Sequence, residues 1–186
     1  MKLPTLKGIS INLRQLRMRD EVSLQRYAND PAVAYFLSRM PSPHTPKDAR
    51  QWIRKTTSMA RSDSGYYLGI ARAENDEIIG VIGLRNLKPS DKKAELTYWL
   101  GRRFWKKGLM SEAVPLILRF AFGELKLNRV HALVHERNIG SIKVLEKAGF
   151  TREAVYRKAS FKGRRWGDIF GFGILKEEFS FSSRKR

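Results

Sequence analysis

The sequence predicts an α+β fold, one sheet of mixed pairing with helices packed against it. Three observations carry that expectation. Strand-like alternation recurs near both ends of the chain and in three consecutive runs between Tyr66 and Gly101. Helical periodicity interrupts the later strands twice, once after Gly108 and once before Gly149, a residue type suited to closing a helix. A basic, glycine-containing loop joins the last central strand to the first of those helices, which makes a β–loop–α crossover.

Residues 9–16 (ISINLRQL) alternate apolar and polar and read as a first strand. Asp20 is expected to cap a polar helix reaching Asn29, and residues 31–37 add a short second one. Pro41, Pro43 and Pro46 punctuate a loop, with Pro46 at the favoured first position of a helix reading PKDARQWIRKTTSMAR. The runs YYLGIARAE, EIIGVIGLRNL and AELTYWLG follow as strands, separated by the turn-like ENDE and KPSDKK. A helix then extends to about Leu125, with Pro115 inside it predicting a local bend. RVHALVHE reads as a strand, NIGSIKVLEKAG as a helix, and FTREAVYRKAS with residues 166–175 as paired strands around the Lys162–Gly163 turn. With no internal repeat and no low-complexity linker, residues 1–186 are expected to form one domain, with 180–186 as a frayed basic tail.

Composition narrows the function. An apolar content of 42% supports a sizeable core and argues against wholesale disorder. The absence of cysteine excludes a disulfide framework, a zinc–thiolate site and a thiol nucleophile. A net charge of +19 predicts attraction to polyanions and carries no information about fold. MKLPTLKGIS lacks the apolar stretch of a signal peptide. The most apolar helical window, 113–125, is broken by Pro115, Arg119, Gly123 and Glu124 and falls short of the about 20 apolar residues that span a bilayer. No membrane association and a cytoplasmic setting are the expectations.

Two segments carry chemistry. In AELTYWLGRRFWKKGLMSEA a strand ends at Leu100 and a helix opens near Gly108. Free amides and the positive dipole end of a helix favour phosphate, and Arg102, Arg103, Lys106 and Lys107 add cations around the same place. A solvated basic loop is the competing reading. Neither the GxxxxGK[ST] loop nor the GxGxxG fingerprint is present. In NIGSIKVLEKAGF, Asn138 caps a helix whose apolar face is Ile142, Val144, Leu145 and Ala148, with Ser141 in its first turn.

Together AELTYWL, WKKGLMSEA, NxxSxxVLEKxGF and the later Gly163-to-Asp168 spacing resemble the GNAT N-acetyltransferases, in their RimJ/RimL-type branch. The resemblance spans roughly residues 78–178. It implies the GNAT acyl-CoA N-acyltransferase fold, a mixed, mostly antiparallel central sheet splayed in the middle and flanked by helices. It further implies acetyl-CoA as cosubstrate, no metal, and a primary amine as acceptor, foremost the N-terminal α-amine of a protein such as a ribosomal protein. Pantetheine would pair along Tyr98, Trp99 and Leu100, where a backbone N–H would serve the oxyanion. Pyrophosphate would sit on Lys106, Lys107, Gly108, Leu109, Met110 and Ser111. Arg103, Asn138, Ser141 and Lys147 complete the implied cofactor contacts. The chain departs from the family's phosphate turn at Trp105, Lys106 and Met110, and Met110 is expected to crowd the backbone where phosphate approaches.

Acetyl transfer requires an amine without its extra proton, donors for the oxyanion and stabilisation of the departing thiolate. Glu95 is the candidate base, directly or through a water, against the alternative of an inert, solvent-facing glutamate. Ser141 is the candidate donor to the thiolate. Tyr98 and Tyr156 are alternative donors, with core packing as their competing role. His131 and His135 lie four residues apart on a strand, about 13 Å, too far to share a metal ion, and His44 falls in the proline loop.

The surplus charge clusters at Arg152, Arg157, Lys158, Lys162, Arg164 and Arg165 and at the C-terminal residues Arg184 and Arg186. It suits docking on RNA, the ribosome or an acidic protein, or reflects general basicity. Two other functions stay open: acetylation of a small amine such as a polyamine or antibiotic, and a catalytically silent basic CoA-fold module that binds RNA or a ribosomal partner.

Overall fold

A computed structural model describes residues 3–36 and 45–179. Its strands are β1 (Leu6–Lys7), β2 (Ile11–Arg14), β3 (Tyr66–Arg72), β4 (Ile78–Lys88), β5 (Lys93–Leu100), β6 (Arg129–His135), β7 (Thr151–Lys162) and β8 (Arg165–Leu175). The helices are α1 (Glu21–Ala28), α2 (Pro31–Ala34), α3 (Pro46–Arg61), α4 (Leu109–Arg119) and α5 (Ile139–Lys147). All described strands join one sheet in the order β1-β2-β3-β4-β5-β6-β8-β7. Every ladder is antiparallel except β5 with β6, which the α4 crossover makes parallel.

Adjacent residues of a strand face opposite sides, and β3 shows what covers each side. Tyr66 sets its ring edge-on to Phe120, beyond the end of α4, at 5.6 Å. Tyr67 meets Trp52 of α3 at 5.1 Å. The strand register then assigns the rest. Leu84, Leu96 and Tyr98 share the α4 side, whereas Arg85, Glu95 and, across the parallel ladder, His131 lie on the other. The core is continuous across β2–β6, with Ile11, Leu13, Leu68, Ile70, Ile82, Leu84, Val114, Ile117 and Phe120 fully buried.

The expected elements are present with four changes. The strand expected over residues 9–16 shortens to β2, with β1 a separate two-residue strand before it, because the Glu112 carboxylate on α4 accepts from the amides of Ile9 (2.5 Å) and Ser10 (2.9 Å), keeping them out of the ladder. Asp20 stands at the start of α1 but its side chain does not cap that helix. Instead it accepts from both terminal nitrogens of Arg14 (2.8 and 3.0 Å) and from the amide of Arg17 (2.7 Å). The stretch after Gly108 runs as α-helix through Pro115 to Arg119 and finishes in a π-type turn over Phe120–Glu124. Tyr156 is half exposed, so core packing does not describe it. The helix at Pro46 is as expected, with Thr45 and Asp48 forming a capping box. Pro41, Pro43, His44, Leu37 and residues 180–186 lie outside the described residues.

Candidate active site

The sheet opens between β5 and β6. Their ladder contains only Lys93–Arg129, Ala94–Val130 and Glu95–His131. Beyond it, β5 continues against β4 as far as Leu100, and β6 continues against β8 as far as His135. Each strand follows its outer neighbour, so the sheet parts into a V. The Gly101 amide donates to Ile79 on β4 at 2.9 Å. By antiparallel alternation, the main-chain groups of Leu96, Tyr98 and Leu100 therefore point into the opening. The Leu100 carbonyl confirms that direction, since it accepts from the indole nitrogen of Trp105 at 2.6 Å. Trp99 presents neither group to the opening: its side chain is buried on the opposite face and its main-chain groups point to β4.

Below the wide end of the V lies the basic turn. Gly108 is the N-cap of α4, with φ +76° and no side-chain cap. Lys106 also has positive φ, +60°. These left-handed residues turn successive amides outward into a nest at a helix N-terminus, a good cradle for a pyrophosphate. A Cβ added at Gly108 would meet nothing within 4 Å, so glycine is needed here for its φ and not for space. Met110 is buried with the core, so the expected crowding does not occur. The residues present therefore fit the phosphates of CoA.

The cations divide between two sides of the turn. Lys106 is exposed. Arg103 lies over the rings of Phe104 (5.0 Å) and Tyr27 (5.8 Å), and Lys107 is 6.0 Å from the Phe104 ring centre. Arg103, Phe104, Lys107 and Leu109 line a cavity of about 460 Å³ with Arg72 of β3. Arg103 and Lys107 thus serve the β3 side of the turn, away from the opening. Lys147 is exposed in the last turn of α5.

Across the V, Ser141 comes from α5. The Asn138 side chain accepts from the Ser141 amide at 3.2 Å, so its oxygen is occupied as a helix cap. Ser141 Oγ is 2.7 Å from the hydroxyl oxygen of Tyr98, which also donates to the Ser141 carbonyl at 3.4 Å, so these contacts join β5 to α5 across the opening. Burial pushes the Tyr98 phenol well above its ordinary value, with the Ser141 hydrogen bond pulling weakly the other way. Tyr98 is thus a standing proton donor, and Ser141 a hydroxyl held at the opening.

On the other face, Glu95 is buried, not solvent-facing. One carboxylate oxygen pairs with Arg85 and the other accepts from Asn86 Nδ2 at 2.8 Å. A shift in the β4–β5 register after Arg85 and the left-handed φ of Asn86 (+51°) turn the asparagine toward Glu95. Sequence reasoning found Glu95 but missed Arg85 and Asn86. Folding β4 back on β5 through KPSDKK would have placed Arg85 opposite Glu95, whereas the bulge that brings Asn86 has no sequence signal of comparable strength.

A protein-family model described as "Acetyltransferase (GNAT) domain" matches residues 10–151. The chain belongs to the GNAT acetyltransferase family. Among its relatives is the probable N-acetyltransferase YjcK of Bacillus subtilis, 36% identical over 93% of this chain and 98% of that one. The ribosomal-protein-serine acetyltransferase of Escherichia coli is 24% identical, covering 84% and 82%. The structure of Mycobacterium smegmatis RimJ in complex with CoA-disulfide superposes with a TM-score of 0.82 over 95% of this chain and 86% of that chain, at 22% identity, which establishes the shared fold. This GNAT protein is accordingly an acyltransferase with acetyl-CoA as acetyl donor. No helix among its described residues is long and apolar enough to cross a membrane.

Proposed function

We propose that this GNAT enzyme acetylates the N-terminal α-amine of a protein, such as a ribosomal protein, in the cytoplasm where its cosubstrate is made. The observation that carries the site assignment is the Tyr98–Ser141 contact inside the opened sheet, directly above an uncapped helix N-terminus. Pantetheine lies along the free edge of β5 at Tyr98, Trp99 and Leu100, and the outward amides of that edge serve the oxyanion. Pyrophosphate rests on the amides of 106–111. Arg103 and Lys107 attract the cofactor's remaining charge from the β3 side, Lys147 from α5, and the Asn138 amide group faces the pantetheine.

Tyr98 is held protonated and can donate to Ser141 Oγ, an arrangement that leaves the serine hydrogen for the departing sulfur. Glu95 supplies negative charge on the acceptor side. Both its oxygens already hold donors, so it acts through another group. The E. coli relative's name supports a ribosomal-protein acceptor. So does the charge of +19, which disfavours a polycationic small amine.

The test is thiol release from acetyl-CoA with a panel of amines: peptides with free N-termini, polyamines and aminoglycosides. Turnover led by peptides is expected. Turnover confined to small amines would replace the acceptor, and CoA binding without any turnover would favour a silent module.

One observation favours an added docking role. Phe161 and Trp166 lie 5.0 Å apart on the β7–β8 hairpin with their rings tilted at 50°, both 59% exposed and flanked by exposed Arg164 and Arg165. Aromatic platforms among cations suit single-stranded RNA. RNA affinity should fall steeply with salt, and neutralising Arg164 and Arg165 should flatten the slope. No RNA retention at low salt would leave the basicity generic.

A further inference from the structure

We propose that the cavity of about 420 Å³ lined by Asn86, Leu87, Lys88, Lys93 and His131 receives the acceptor amine, and that the His131 imidazole takes its proton. The proposal rests on the acetyl-transfer reading above and names the acceptor side of the same site.

The placement of His131 is specific. It ends the parallel ladder opposite Glu95, at the apex where β5 and β6 part. It shares the Glu95 face of the sheet, while Tyr98 and Ser141 lie on the other. An amine held there approaches the opening from the face opposite the sulfur donor, the geometry an addition followed by expulsion needs. Asn86 lines the same cavity and holds Glu95 at 2.8 Å, so the carboxylate beside His131 is fixed in place. The arrangement is a base backed by an oriented acid, with Glu95 as the positioning residue.

The surroundings keep the imidazole ready. Burial is the largest influence and holds its basicity below that of a free histidine; Arg129 and Lys93 act in the same direction, while Glu95 and a hydrogen bond to the Ala94 backbone oppose them and leave the other ring nitrogen for the amine. The charged groups on this face are Glu95 and Lys93 of β5, Arg85 and Lys88 of β4, Arg129 of β6 and Glu153 of β7, which pairs with Arg129, together with Asp91 of the β4–β5 turn, which pairs with Lys93 at 2.8 Å. On β8 the partner is Gly173, with no charge. His131 is therefore neutral at neutral pH, and Glu95 stabilises the imidazolium as it forms. His135, on the same strand, is already committed: its Nδ1 accepts from the Arg137 amide at 3.2 Å and its ring packs near Tyr35 and Phe36.

The chemistry balances as a simple transfer. The acceptor ammonium gives one proton to His131, and its nitrogen lone pair forms the C–N bond at the thioester carbonyl. The C–S bond breaks with its electron pair going to sulfur, which takes a proton through Ser141. The second nitrogen proton, lost as the amide forms, passes through water to replace the one Ser141 gave to sulfur, and His131 returns its proton to solvent. The sum is one amide, one thiol and one proton from an ammonium and a thioester. Lys88 and Lys93 line the cavity; Lys93 pairs with Asp91, and the positive charge left by Lys88 with Arg85 and Arg129 favours an amine whose neighbours are neutral or acidic. The acceptor class is an α-amine followed by acidic residues.

The test compares the parent, His131→Asn and His131→Ala with two peptides that differ only in acidic or basic residues after the first position. Calorimetry with CoA confirms an intact cofactor site. The parent is expected to prefer the acidic peptide by at least about tenfold. His131→Asn is expected to lose about 100-fold in kcat/KM at pH 7 with its acetyl-CoA KM unchanged. Its pH profile should follow the amine's own ionisation alone, and added imidazole should restore His131→Ala in part. A His131→Asn rate within threefold of the parent, or a loss that imidazole leaves untouched, overturns the proposal. Should both histidine variants fail to fold, the surface pair Lys88→Glu with Lys93→Glu decides: the peptide preference must reverse, and an unchanged preference overturns the cavity. A parent that binds CoA but acetylates neither peptide defeats the proposed function instead.

Discussion

Replacing Glu95 by glutamine isolates what its buried carboxylate does. The two oxygens accept from different donors, Arg85 on one side and Asn86 on the other. A glutamine offers one oxygen and one NH₂, so whichever way the amide turns, one donor faces another donor. A hydrogen bond to a charged group contributes roughly 1.5–3 kcal/mol, and breaking a fully buried pair costs about 3–5 kcal/mol. Glu95 is 5% exposed but Arg85 retains 23% of its side-chain surface, so water recovers part of the arginine's solvation. The expected loss is about 2–3 kcal/mol, or roughly 5–10 °C in Tm for a chain of this size. Urea unfolding at pH 7 with an unchanged slope measures it. A Glu95→Gln protein within about 0.5 kcal/mol of the parent would refute the ion-pair account. The same variant reads the chemistry. Its kcat/KM deficit should shrink at alkaline pH, where more of the amine is already deprotonated. Parallel profiles for parent and variant would leave Glu95 purely structural.

Gly108→Val should weaken CoA binding by about 5- to 30-fold, because a left-handed residue with a Cβ costs roughly 1–2 kcal/mol; calorimetry checks it, and unchanged affinity would put the phosphates elsewhere. Ser141→Ala should lower kcat by roughly 10- to 1000-fold at every pH tested, with Tyr98→Phe showing a smaller loss of the same shape; an unaffected Ser141→Ala would reduce Ser141 to its place in the helix turn. Desolvation pushes the Asp76 carboxyl up, but hydrogen bonds and charge from Arg14, Arg17 and Arg19 outweigh it and hold the group below the usual range. Its contribution is present above the ordinary carboxylate range and lost as pH falls through its lowered value. Asp76→Asn should therefore destabilise at neutral pH, with parent and variant converging in acid unfolding series.

The legible parts of the sequence were those set by short-range rules. Alternation marked β3, β4 and β5, a proline marked the start of α3, and a glycine with a following helix marked the phosphate turn. Long-range polar contacts were not legible. Glu112 reaches back to Ile9 and Ser10 across about a hundred residues and keeps them out of the first expected strand. Arg14 draws Asp20 away from capping α1 from only six residues away, but its orientation is set by Asp76, sixty-two residues on. The site followed the same division. Ser141 and Asn138 could be placed by helix spacing, while Arg103's commitment to Tyr27 and Phe104 depends on α1 packing beneath the turn. Glu95 could be found on its strand, but its partners required the β4–β5 register and a bulge within it.

The central claim is that CoA lies in the opening between β5 and β6 with its phosphates on the turn at Gly108. Backbone amide resonances followed during titration with CoA test it most directly. The account predicts the largest changes at Lys106, Lys107, Gly108, Leu109, Met110 and Ser111, with a second set at Tyr98, Leu100 and Ser141. Changes centred on Arg72, Ala73 and Glu74, or none at any of these amides, would contradict it.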